Sequence, residues 1–223
     1  MQNYSITTTA KKSAIATYTV LRNTYFLLSL TLLTSAATAY FAIVSNAKFL
    51  GPLPTIIGMF GLLFLTQLLR NSFWGIIAAF AFTSFMGYVL APTLSFYLHT
   101  FSNGGELILT ALCGTGLIFF TLSGYTLITR KDFSFLGGFL FVAIMAAFIA
   151  SLAGLIFNLP ILQLLVSGVF MLICSALIMF HTSAIIHGGE TNYISATISL
   201  YVALLNIFVG LLQLLGAFSG NRK

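Results

Sequence analysis

His181, His187 and Glu190 fall within ten consecutive residues of a chain that holds only three histidines and three acids. They belong to the stretch "LIMFHTSAIIHGGETNYISATISLY", residues 177–201. An imidazole with an unperturbed pKa near 6.5 changes charge close to neutral pH, so His181 is suited to handling a proton. The apolar runs on either side carry polar residues seven apart. Ser167, Cys174 and His181 lie in the first run, and Asn192, Ser199, Asn206 and Gln213 follow in the second. A spacing of seven returns to one helical face. Neither stripe belongs against lipid, where an unpaired polar group costs several kcal/mol. Two readings follow. The stripes bond to each other and hold two helices together, or they line a proton or ion path past His181.

"HGGETN" also has a purely structural reading. Gly188 and Gly189 end one helix and permit a tight reversal. Glu190 and Asn192 suit the start of the next helix, where an acid complements the dipole, and His187 suits the opposite dipole end. No catalytic set accompanies them. There is no HExxH and no GxSxG, the three acids sit in three different connections, and no apolar run contains an aspartate. The chain is read as a non-enzyme without cofactor or bound metal.

The elements that carry these groups are membrane spans. The chain is 59% hydrophobic and 5% charged, with a mean hydropathy of +1.07. A soluble domain carries charge on roughly a quarter of its residues. A spanning helix needs about 20 mostly apolar residues. Polar breaks divide the chain into seven runs of that kind, near 23–45, 49–69, 73–98, 107–129, 134–157, 160–186 and 193–218. The fold expected is therefore all-α, a polytopic bundle of seven transmembrane helices over 23–220, preceded by a tail over 1–22. Ala37-Thr38-Ala39 resembles a signal-peptidase site, but the apolar run continues through Val44 and reads as an uncleaved span.

Basic residues set the orientation. With the N-terminus inside, Lys11, Lys12, Arg22, Arg70, Arg130 and Lys131 are cytoplasmic, and Lys48, Arg222 and Lys223 are outside. Six against three favours N-in and C-out. No basic patch tracks a phosphate backbone, so nucleic acid is not expected. Cys113 and Cys174 read as buried small side chains. Ala143, Ala147 and Ser151, and likewise Ala146, Ala150 and Gly154, are spaced by four and permit close helix approach. Pro92, with Gly87 before it, predicts a kink late in the third span.

"VLRNTYFLLSLTLLTSA" (20–36), "ITRKDFSFLGG" (128–138) and "IIHGGETNYISATISLYVALLNIFVGLLQLLG" (185–216) resemble the BAX inhibitor-1 family, nearest its bacterial YccA-type branch. The resemblance runs nearly end to end from about residue 18. It implies a seven-helix bundle with the last helix central, in the bacterial inner membrane. It also implies two functions. Members of one kind are pH-sensitive calcium leak channels gated by two aspartates. Those positions fall on His181 in "FHTSAII" and Ala203 in "LYVALLN", so both acids are absent here. A His–Ala pair shares no proton as two carboxylates do. Members of the YccA branch are substrates and modulators of FtsH, a membrane-anchored AAA+ protease. For such a machine, residues 1–20, with Lys11 and Lys12, are the expected cytosolic handle. The function implied is an inner-membrane partner of FtsH, with ion leak through the sixth and seventh spans as the alternative. Self-association into a homo-oligomer is left open.

Overall fold

In the computed structural model the described residues are 2–47 and 50–219, with side chains described from Thr17 onward. Seven helices follow in order: α1 (Gln2–Val44), α2 (Pro52–Leu69), α3 (Phe73–Thr100), α4 (Gly104–Thr129), α5 (Leu136–Ile156), α6 (Pro160–Ile186) and α7 (Tyr193–Phe218). Each contains a segment long and apolar enough to cross a membrane; in α1 that segment is Thr17–Val44. The backbone of the expected tail is continuous with α1, which begins at Gln2. The side chains of Lys11 and Lys12, and residues 48, 222 and 223 of the charge count, lie outside the described residues.

The polar breaks end helices for identifiable reasons. Asn46 and Asn158 take left-handed φ of 50° and 49° after α1 and α5, a conformation that a short polar side chain tolerates. Arg130 does the same after α4, with φ 49°. Pro52 and Pro160 open α2 and α6 in the first turn, where a missing N–H leaves no bond unmade.

α7 is the axis of the bundle. It packs against α1, α2, α3, α4 and α6, and half of its spanning segment is buried. The core around it joins Leu28, Phe82, Ile178, Ile198, Leu200 and Ile207. Among the described residues α2 rests on α3 and α7, and α5 rests on α6 alone. Bulky residues such as Phe41, Phe64, Phe120 and Phe148 face outward, as expected where the solvent is lipid. The buried polar residues described are all Ser or Thr. Several satisfy their hydroxyls within their own helix, as Thr83 does on the Ala79 carbonyl and Thr115 on that of Ala111.

One expectation changes. Cys113 is exposed, not buried. It lies on the face of α4 opposite Ala111, Thr115 and Phe119, which are buried, and a thiol is apolar enough for that position. Gly87 stands where α3 meets α1, five residues before Pro92, which lies inside α3. A Cβ there would stand 2.2 Å from the Ser35 carbonyl oxygen, so only glycine lets the two backbones meet.

Candidate functional site

The connections α2–α3, α4–α5 and α6–α7 share one face of the bundle and are tied to one another. Asn192 caps α7, its Oδ1 accepting from the N–H groups of Ile194 at 3.0 Å and Ser195 at 3.1 Å. Its Nδ2 donates to the Arg70 carbonyl and to Asn71 Oδ1, both at 2.9 Å. One side chain thus caps a helix and fastens the α2–α3 connection to it. Glu190 accepts the Asn192 N–H at 2.8 Å. Gly188 takes φ 77° two residues after α6, and the Glu190 N–H closes the reversal on the Ala184 carbonyl at 3.0 Å. Gly189 lies between them, exposed.

Ser183 makes the second tie. Its Oγ accepts the Phe133 N–H at 2.9 Å and donates to the Lys131 carbonyl at 3.3 Å. His187 Nδ1 stands 3.3 Å from the same Oγ and 3.0 Å from the Ser183 carbonyl. Beside it Asp132 accepts from the hydroxyl and, at 2.9 Å, the N–H of Ser134. Those two bonds, the hydroxyl's first, hold the exposed Asp132 carboxyl below its ordinary pKa, and the charge on His187 adds to the effect.

The two heptad stripes do not form one line. Ser167 on α6 bonds Gln213 on α7, joining them at the end remote from the turn. Elsewhere they part. Cys174 is buried in the apolar cluster with Ile178, Ala203, Leu204 and Ile207. Asn206 donates to the Val202 carbonyl of its own helix at 2.8 Å. Ser199 and His181 are half-buried, and His181 sets its ring edge against Phe180 at 5.4 Å. An apolar layer therefore separates His181 from the Ser167–Gln213 contact, because side chains between the polar positions point into the same interface.

Other polar contacts that cross the bundle use residues outside those stripes. Tyr201, wholly buried, stands 2.7 Å from Ser35 Oγ on α1 and donates to the Thr83 carbonyl on α3 at 3.2 Å. Thr197 reaches the Thr24 carbonyl at 3.3 Å. Tyr25 bonds Ser123 on α4, which stands 3.5 Å from Thr182 on α6. Thr197 and Tyr201 are four apart, and Thr24, Thr31 and Ser35 recur at seven and four. That periodicity was a usable signal, but hydroxyls are common in apolar helices and stand out less than histidines.

Residues 17–220 match the profile of the Bax1-I family, described as "Inhibitor of apoptosis-promoting Bax1". The chain is 53% identical over 206 residues to "Modulator of FtsH protease YccA" of Escherichia coli K12, covering 92% of this chain and 93% of the relative. Identity and coverage are the same for "Inner membrane protein YccA" of Escherichia coli O6:H1. An "Uncharacterized membrane protein" of Vibrio cholerae is 40% identical over 215 residues, 96% of each chain.

Proposed function

Because the chain belongs to the Bax1-I family, we propose that it modulates FtsH in the bacterial inner membrane, binding this AAA+ protease and being degraded by it slowly. The observation that carries this reading is 53% identity across 92% of the chain to a relative named for that role. The architecture is consistent with slow extraction. A protease that pulls on this chain has to withdraw α7 from five neighbouring helices, and each span removes some 20 apolar residues from lipid. A substrate that leaves so reluctantly occupies the protease and lowers its action on others.

In this reading the tied face, with Arg70, Arg130 and Lys131, is cytoplasmic. The N-terminus lies on that side and supplies the grip. The test is turnover. Pulse–chase in cells with and without FtsH should show a shorter lifetime when the protease is present, and overproduction should slow another FtsH substrate. Deleting residues 3 to 18 should lengthen the lifetime only in cells containing FtsH. Equal lifetimes of the native chain in both cell types would remove the function.

Ion leak through α6 and α7 is the weaker reading. The positions of the two gating acids hold His181 and Ala203, and Ala203 lies in the apolar cluster with Cys174 and Ile178. Calcium flux in proteoliposomes is expected to stay at the background of protein-free vesicles.

A further inference from the structure

Among the described residues α5 packs against one other helix, α6, and two cavities lie along that pair. One, about 550 Å³, runs between Phe139 and Ala150 on α5 and between Leu162 and Ala176 on α6, and its walls are apolar side chains. It exists because α5 presents Ala143, Ala146 and Ala150 where larger residues would close the gap. The other, about 500 Å³, adjoins it at Val166 and extends to the ends of α3 and α7. Its walls include Tyr97, Ser151, Gln163, Ser167 and Gln213, and among the described residues no charged one.

The polar cavity has unused hydrogen-bonding capacity. Tyr97 is only 8% exposed, and its hydroxyl lies beside Gly216, which also lines the cavity. Among the described residues neither that hydroxyl nor the exposed Ser151 hydroxyl is hydrogen-bonded to another side chain, and the exposed Gln213 uses its Oε1 on Ser167, which leaves its N–H groups facing the cavity. Polar groups on membrane-spanning helices are disfavoured against hydrocarbon, so the cavity favours an occupant that accepts hydrogen bonds. The apolar groove favours a chain. Its stretch of α6, from Leu162 to Ala176, is about 21 Å long at 1.5 Å per residue, enough to follow an acyl chain through a leaflet of about 15 Å.

We infer that the α5–α6 cleft is a phospholipid site. The glycerol ester region sits among Tyr97, Ser151 and Gln213, and one acyl chain lies in the groove. The lipid comes from the leaflet at the C-terminal end of α7. Lipid tails are as apolar as the groove, so burial alone does not distinguish a bound chain from its neighbours. Retention depends on packing contacts and on the ester hydrogen bonds, which are strong where water is absent.

The test uses the full chain in vesicles of phosphatidylethanolamine and phosphatidylglycerol, doped with phosphatidylethanolamine carrying a diazirine on one acyl chain. Irradiation should label α5 and α6 along the groove beyond other lipid-facing helices, and native mass spectrometry should retain one lipid per chain. Ala150→Phe should lower both signals about tenfold. Tyr97→Phe combined with Gln213→Leu should lower retention while the groove label persists. Ile57→Phe, on the exposed face of α2, should change neither, and a matched melting temperature shows that each variant folds. Label spread over all helices in proportion to exposure and unaffected by Ala150→Phe would overturn the site. So would a dimer in place of the lipid-bound chain, abolished by Ala150→Phe, which would give the groove to a second copy.

Discussion

The phenol of Tyr201 and the hydroxyl of Ser35 meet at 2.7 Å in the centre of the bundle, 166 positions apart in the chain. The same phenol donates to the Thr83 carbonyl, so one side chain of α7 fixes both α1 and α3. Interhelical bonds of this kind contribute about 0.6 kcal/mol on average in a membrane and up to about 1.7. Tyr201→Phe and Ser35→Ala are each expected to lower the melting temperature in detergent. A double-mutant cycle should give a coupling of about 1 kcal/mol. Additive losses would show that the two groups act separately.

Gly87→Ala tests the approach of α1 to α3 directly. The new Cβ would stand 2.2 Å from the Ser35 carbonyl oxygen, which is backbone and cannot swing away. Overpacking of this kind costs about 1–3 kcal/mol. Less monodisperse protein and a lower melting temperature are expected, and an unchanged melt would refute the close contact.

Thr24 offers the opposite sign. Its residue is fully buried, and its hydroxyl has no partner among the described residues. Thr24→Val keeps the shape and removes the unmade bond, so a gain of about 1 kcal/mol is expected. A loss on thermal melting would mean that the hydroxyl is bonded after all.

Asp132 gives a pH dependence with a defined direction. Its folded pKa is lowered, chiefly by the Ser134 hydroxyl and then by the Ser134 N–H. A depressed carboxyl contributes stability above its unfolded pKa of about 3.9 and loses it as pH falls through the folded value. Asp132→Asn should therefore melt below the native protein at pH 7, and the gap should close below about pH 4. A gap that widens with acid would reverse the assignment.

The orientation is testable by cysteine labelling at positions 5 and 221 in a background lacking Cys113 and Cys174. An odd number of spans puts the two ends on opposite sides, and from the basic residues position 221 is expected outside. Both positions reacting from one side would remove the seven-span topology.

The sequence alone determined the elements and the face of the turn. α6 and α7 begin and end where the apolar runs 160–186 and 193–218 do, because a span's length is fixed by bilayer thickness and its ends by polar residues. Asn192 was legible as a cap because capping is local, three residues deep. Tertiary structure decided the rest. Heptad spacing put Ser167, Cys174 and His181 on one face of α6, yet only Ser167 meets the α7 stripe, at Gln213. Which residues of a facing helix stand opposite depends on crossing angle and rotation, and spacing within one helix carries neither. Ser35 and Tyr201 show the same limit from the other side. Each is one hydroxyl among many in an apolar run until Gly87 brings α1 and α3 close enough for α7 to hold both.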